Sequence, residues 1–258
     1  MTDAHIHLER GPYTLEWAER FLQTALLRGI TEIHLLEHSY LFPEFVPMYD
    51  GIRAENTFAD RWLARKAGTK SLAAYLALAE QIRRADWPVT VRFGLEICYL
   101  EGTEALVRRQ TKDLGLDFLT GSVHFAGSFA FDHRPELWEG MDTDEVYRQY
   151  FRRAVHLAES GLFDGMAHPD SIRLFGHIPS FPLTEYHDRL AAALAEHGMY
   201  AEQNSGVHRR CPDTAEAGMA PELLAAMKRH GVRLLTASDA HRPEDAGEGI
   251  AELAEMTD

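Results

Sequence analysis

Two histidines two residues apart, His5 and His7, are the first residues of this chain whose types and spacing suit chemistry. On a strand, residues i and i+2 project to one face, so both imidazoles would aim at one point. Two imidazoles so placed can chelate a single cation. The pattern His-x-His is weak on its own, since two ordinary polar strand residues read the same way. Asp3 falls in the same alternation and is expected on the same face, as a carboxylate orienting a ligand histidine. Residues of similar type recur downstream. They are His38 in Leu-Leu-Glu-His-Ser, Glu96 in Phe-Gly-Leu-Glu-Ile, His124 in Gly-Ser-Val-His-Phe and His168 in Met-Ala-His-Pro-Asp. Glu202 and Asn204 follow in Ala-Glu-Gln-Asn-Ser-Gly, and Asp239 with His241 in Ala-Ser-Asp-Ala-His. Glu96 closes a strongly apolar run, where an unpaired carboxylate would be costly. A cation would satisfy it, and a carboxylate can bridge two cations; a salt bridge to an arginine is the plainer alternative.

These residues sit at the ends of short apolar runs that must be strands. The candidate strands are 3–8, 32–36, 89–97, 118–123, 163–167, 199–203 and 233–237. Helical patterns lie between them, at 14–28, 71–85, 103–114, 143–160, 183–197 and 221–230, with a last one after Arg242. Gly29, Gly198 and Gly231 supply the stop expected at a helix C-terminus. Strand–helix alternation at this spacing predicts a parallel sheet with helical crossovers. About seven such units favour an α/β barrel of seven or eight strands, in one domain spanning 1–258, over an open sheet. In such a barrel the C-terminal strand ends converge on one mouth. Two insertions, 39–70 and 125–142, are expected over that mouth as substrate-binding loops. His34, inside a strand, reads as packing. His133, His156, His177, His187, His197 and His230 fall on helices or loops and read as surface residues.

The chain has 258 residues, 45% of them hydrophobic, and a formal net charge of -14. So acidic a surface disfavours nucleic acid as a partner. It leaves room for a small phosphorylated metabolite, because bound divalent cations reverse the field locally. No apolar run is long enough to span a membrane, and the N-terminal residues have no secretory pattern. Cys98 and Cys211 are far apart, which suits a reducing, cytoplasmic setting. No sequence feature specifies an oligomeric state.

Taken in order, H-x-H, strand-end E-H, G-L-E, S-V-H, H-P-D, N-S-G and S-D-A-H resemble the polymerase and histidinol phosphatase (PHP) superfamily. The likeness runs from Asp3 to His241 and is greatest to stand-alone bacterial histidinol-phosphate phosphatases. It implies a distorted seven-stranded barrel holding two or three divalent ions. Imidazole and carboxylate ligands suit zinc, manganese or iron without choosing among them. By this resemblance His5, His7, Glu96 and Asp239 hold one ion. Glu96 bridges to a second held by His124 and His168, and His38 and His241 take a third. The chain departs from the pattern after His7, where relatives carry a further histidine. Here the residues are Leu8-Glu9-Arg10-Gly11-Pro12, and Glu9 is the candidate substitute. It departs again where relatives read N-T-S-G-L-R and this chain reads Asn204-Ser205-Gly206-Val207-His208-Arg209-Arg210, and at Leu36, where they have threonine.

The implied reaction is hydrolysis of a phosphomonoester, histidinol phosphate first among them, to the alcohol and phosphate. The cations would lower the pKa of water and neutralise charge on the phosphoryl oxygens. Arg173, Asn204, His208, Arg209 and Arg210 are the expected phosphate-binding residues, guanidinium matching phosphate bidentately. Asp239 and His241 are the candidates for protonating the leaving alkoxide. Glu44, Asp50 and Glu55 would meet the ammonium and imidazole of the substrate. Two other readings remain: a phosphoesterase for another phosphorylated metabolite or nucleotide, and a non-catalytic module like the polymerase-associated relatives.

Overall fold

Seven strands pair in parallel, each with the next in sequence: β1 (Thr2–Ile6), β2 (Glu32–His38), β3 (Thr90–Cys98), β4 (Phe118–Ser122), β5 (Gly165–Met166), β6 (Tyr200–Asn204) and β7 (Arg233–Ala237). The computed structural model describes residues 1–215 and 217–257. The two edges meet just past β7, where His7 N donates to Ala240 O (2.8 Å) and Ala240 N to His5 O (3.2 Å). The sheet thereby becomes a barrel with helices outside, the (βα)7 TIM-like arrangement. The strand faces turned to the helices are largely apolar, while the faces turned to the barrel interior carry buried polar residues such as His5, Glu96, Thr120 and Glu202.

The crossover helices carry their own start signals. Thr14 caps Leu15–Leu27, Ser71 caps Leu72–Arg84 and Asp142 caps Thr143–Glu159, each side chain accepting an amide hydrogen from the first turn. Gly29, Gly198 and Gly231 all have φ between 65° and 77°, the left-handed geometry of a helix stop. Among the described residues, no helix is long and apolar enough to cross a membrane.

The lower interior of the barrel is plugged by rings. The Phe118 ring lies over Gly94, where an added Cβ would stand 2.4 Å from it, and Tyr200 lies over Gly165 at 2.2 Å. His34 packs on Phe118 at 4.8 Å and reaches Glu32 at 2.9 Å, so it is the packing residue expected. This plug is the floor on which the next layer of side chains stands, beginning with Glu96 two residues beyond Gly94.

Three expectations need correction. β5 is two residues long rather than five, because His168 turns the backbone to φ 30° and Pro169 offers no amide to the ladder. Asp3 does not share a face with His5. The register runs Asp3↔Ile33 and then Ile6↔Leu35, so one extra residue is bulged into β1. Asp3 therefore points out of the barrel with Ile33. It accepts from Ser238 N and Oγ, Gly247 N and His5 N, and so welds β1 to the end of β7.

The third correction is His187, which is buried on helix Thr184–Glu196 against Phe151 rather than at the surface. Neither ring nitrogen has a hydrogen-bond partner among the described residues. Burial pushes its pKa down to about 4, against the pull of Glu222 and Asp188 and with that of Arg173. The folded state thus prefers the neutral ring. Its stabilising share is complete above the ordinary histidine pKa of about 6.5 and is lost as pH falls towards 4. His187→Leu is expected to match the parent at pH 7.5. At pH 4.5 it should outlast the parent by on the order of 1–2 kcal/mol, or about 2–8 °C in melting temperature. Parallel melting-temperature profiles for the two proteins would refute this account.

Candidate metal centre

Above the plug, the inner faces of β1, β2 and β3 and the segments after β4, β5 and β7 bring eight side chains together. Glu202 on β6 sets the first of them. Its carboxylate accepts from His5 Nδ1 (2.9 Å), His168 N (3.2 Å) and Asn204 Nδ2 (3.0 Å). With Nδ1 carrying that proton, His5 presents Nε2 to the cluster, the usual way an outer carboxylate orients a ligand histidine. The role expected of Asp3 therefore belongs to Glu202. His5 Nε2 stands 2.8 Å from His7 Nε2. Two imidazole nitrogens approach this closely only with a proton or a cation between their lone pairs.

Glu96 divides its two oxygens between two groups. Oε2 lies 3.4 Å from Nε2 of both His5 and His7, and 3.3 Å from His38 Nε2. Oε1 lies 2.9 Å from His124 Nε2 and 3.2 Å from His168 Nε2. Asp239 Oδ1 faces the first group at 3.7 Å from His5 and 3.6 Å from His7. A third group joins His7, His38 and His241, with the His7 and His38 rings stacked at 4.0 Å. Glu9 reaches this group at the rim, 3.2 Å from His38 Nδ1 and 3.7 Å from His241 Nε2.

The donor set fits divalent metal. Glu96 is buried, yet its Oε2 lacks a hydrogen-bond partner among the described residues. Burial alone would raise its pKa, but His38, His124, His168 and His5 hold it well below the usual carboxylate range. Glu9 is likewise lowered to about 2, His38 and His241 outweighing its burial. Asp239 is lowered against its burial by His5, His241 and His168. Charged carboxylates at the focus of buried imidazoles are ligands of the kind zinc, manganese and iron take.

Two of these residues, His168 (φ 30°) and Asp239 (φ 52°), are non-glycine residues in the left-handed region. Such strain persists where the surroundings over-determine it. For Asp239 they do. Arg209 Nη1 donates to Ser238 O and Nη2 to Asp239 O, both at 2.9 Å. Gly206 faces the Asp239 side chain so closely that an added Cβ would stand 2.5 Å from its Cβ.

The expected phosphate binders separate. Helix Gly206–Arg210 turns about 100° per residue, so Gly206, Arg209 and Arg210 share the cleft side and His208 faces the opposite way. His208 Nδ1 donates to Ala215 O instead. Asn204 is occupied between Glu202 and Gly206 N. Arg173 pairs with Asp170 and does not line the cleft, whose wall there is Ser171 and Leu174. Arg209 holds backbone, as above. Arg210 remains at the cleft, donating to Asp132 O (2.9 Å), and Arg10 and Arg242 join it as residues the sequence reading missed. Glu44, Asp50 and Glu55 are exposed and line no part of the cleft.

The other residue missed is Asp132. It accepts from His124 Nδ1 (2.6 Å) and from His133 Nδ1 (2.8 Å), fixing the tautomer that aims His124 Nε2 at Glu96. Its only sequence signal was the Asp-His pair within the second insertion. His133, read as a surface residue, instead lies among Trp62, Phe58 and Phe125 on the cleft wall.

A parallel α/β barrel with a histidine–carboxylate cluster at the C-terminal mouth of its strands is a metal-dependent hydrolase scaffold. A model of the PHP domain matches residues 3–206, and the chain belongs to that family. It is 28% identical over 253 residues to a protein of Deinococcus radiodurans named a probable histidinol-phosphatase, covering 96% of this chain and 88% of the relative. The fold is similar to that of a candidate histidinol phosphatase, hisK, from Listeria monocytogenes (TM-score 0.78, 18% identity, 98% and 99% of the two chains). It is also similar to histidinol phosphate phosphatase from Lactococcus lactis subsp. lactis, solved with zinc, L-histidinol and phosphate (TM-score 0.71, 17% identity, 99% and 92%).

Proposed function

We propose that this chain is a metal-dependent phosphomonoesterase that hydrolyses histidinol phosphate to histidinol and phosphate. The observation that carries the reading is the split carboxylate of Glu96, one oxygen facing His5, His7 and His38 and the other facing His124 and His168. His5, His7, Glu96 and Asp239 would hold one cation, and Glu96, His124 and His168 a second. His38 and His241 would hold a third, with His7 shared and Glu9 completing the set. The names of the Deinococcus relative and of the Lactococcus protein, with its bound L-histidinol and phosphate, support the choice of substrate. Zinc in the latter favours zinc here, with manganese and iron compatible with the same ligands.

Bound divalent cations would supply Lewis acidity and an acidified water. The chain's own residues do the rest. Arg10, Arg210 and Arg242 line the polar part of the cleft beside His168, Asp239 and His241, and would hold a phosphoryl group against the cluster. Asp239 and His241 stand at that wall as the groups able to move a proton to or from the alcohol oxygen. His5, His7, Glu96, His124, His168, Asp239 and His241 are all present, with Glu9 standing where relatives carry a further histidine, which argues against the non-catalytic module.

Metal content per chain, measured with phosphate release from histidinol phosphate, tests the reading. At least two ions and turnover are expected. Turnover of other monoesters while histidinol phosphate is ignored would overturn the substrate. Protein that binds no metal and stays inert with added zinc or manganese would overturn the activity.

A further inference from the structure

The loop after β1, residues 8–13, carries Glu9 to the rim of the third ligand group and Arg10 to the arginine-lined wall of the cleft. It belongs to no strand or helix, so its path depends on what its peptide groups meet. Gly11 N donates to Leu8 O (3.1 Å), closing a tight turn whose two central residues are Glu9 and Arg10. Both ends of that turn are held from outside it. Leu8 N donates to Glu37 Oε1 (2.6 Å), and Leu8 O also accepts from Trp17 Nε1 (2.9 Å). Gly11 O accepts from Lys70 Nζ (2.8 Å). Gly11 lies so close to Trp17 that an added Cβ would stand 2.3 Å from the indole.

The holders are themselves fixed. Trp17 sits in the first turn of helix Leu15–Leu27. Lys70 ends the insertion 39–70, where Lys70 N donates to Leu41 O and Gly68 N to Tyr40 O, both at 2.9 Å. The end of the insertion is thereby tied to its start beside His38. The Lys70 ammonium also lies 5.2 Å from the centre of the Tyr13 ring. Glu37 is the most informative of the three. It alternates with His38 on β2 and so points away from the metal ligands, into the layer between sheet and helices, where it is fully buried. A carboxylate in that layer is costly, and an apolar side chain would pack there without the cost. What Glu37 does there is hold the amide one residue before Glu9, with the Tyr13 hydroxyl turned towards it.

We propose that Glu37, Trp17 and Lys70 form a brace that sets this turn, so that Glu9 on the third cation and Arg10 on the phosphoryl group are held as one unit. The proposal rests on the three-cation phosphomonoesterase reading. Glu37, Trp17 and Lys70 are positioning residues: none of them lines the cleft, and each acts through the backbone on either side of Glu9 and Arg10. The brace also bears on the departure from the family pattern at Glu9. A glutamate side chain is more flexible than the histidine that relatives carry, so it gains more as a ligand from a backbone already fixed.

The test is zinc titration of the full chain, beside inhibition of the zinc-saturated enzyme by inorganic phosphate. The variants are Glu37→Ala, Glu37→Gln and Lys70→Met, with Lys66→Met, at an exposed position, as the control for a lost charge. Glu37→Ala should bind its first two ions as the parent does and its third about 10–100-fold more weakly, the cost of losing a group that orients a ligand. Its inhibition constant for phosphate should rise as well. Lys70→Met should move both readings in the same direction by about threefold to tenfold, the size of one hydrogen bond. Glu37→Gln should stay within about threefold of the parent, because its amide oxygen can still accept from Leu8 N. Lys66→Met should match the parent in both. Should Glu37→Ala fail to fold, Lys70→Met, half-buried rather than in the core, decides by the same two readings. Three ions held equally by the parent, Glu37→Ala and Lys70→Met would overturn the brace and leave the activity standing. A loosened third ion with unchanged phosphate inhibition would overturn the single unit. A parent that binds two ions and still hydrolyses the substrate would overturn the third site and the brace with it, but not the phosphatase. A parent that binds no ion would overturn both.

Discussion

Glu96→Gln is expected to lose activity by more than the roughly 10–100-fold that outer partners of a metal site cost, and to lose at least one bound ion per chain. Glutamine keeps the size of the side chain and one oxygen, so packing against the ring plug is preserved. It removes the negative charge on which His5, His7, His38, His124 and His168 converge. An amide oxygen is a weak ligand and its NH2 group is no ligand at all, so one of the two groups loses its shared donor. The five imidazoles would then face one another without the carboxylate that offsets their crowding. The measurements are metal per chain after dialysis and phosphate release at saturating metal. A variant that keeps all its ions and most of its rate would remove Glu96 from the centre of the site. A parallel melting curve keeps the two explanations apart, since loss of fold would appear there first.

The strand-end ligands were legible because a strand has a period of two and a barrel has one mouth. His5 and His7 pointed the same way for that reason, and Glu96, His124, His168, Asp239 and His241 each followed an apolar run. The same rule misplaced Asp3, because a single bulged residue between Asp3 and Ile6 reverses the face and leaves no mark in the sequence. Glu202 was visible as a strand-end carboxylate, but its part in orienting His5 depended on the closure of the barrel, which brings β6 within two strands of β1. Asp132 was hidden for a different reason. It sits in an irregular loop, where no period links sequence position to direction, and its contacts with His124 and His133 depend on the path of the whole insertion. Hydrophobicity decided His187 against composition: a polar residue type was buried by the helix face it occupies, next to Leu190, Ala191 and Leu194.

The arginines were the least legible part, and they give the second large prediction. Arg209 and Arg210 are adjacent in sequence and both on the cleft side of one short helix, yet their guanidinium groups do different things. Arg209 grips Ser238 O and Asp239 O and so holds Asp239 in its left-handed conformation, aimed at His5 and His7. Arg210 lines the cleft beside His124 and Asp132, donating one hydrogen bond to Asp132 O. Arg209→Ala should therefore act on the metal. Without the clamp Asp239 can relax, and metal affinity should fall by about 10–100-fold, as for other groups that orient a ligand. Excess metal should restore much of the rate. Arg210→Ala should leave the metal content near the parent's and weaken phosphate instead. One charge-assisted hydrogen bond is worth about 1.5–3 kcal/mol, so KM for the phosphomonoester and the inhibition constant of inorganic phosphate should both rise about 10–100-fold. Excess metal should not rescue it. Metal titration of both variants beside phosphate inhibition decides between these roles. If Arg209→Ala keeps its metal and loses only phosphate binding, the backbone clamp is incidental and the arginine next to Arg210 is the phosphate ligand after all.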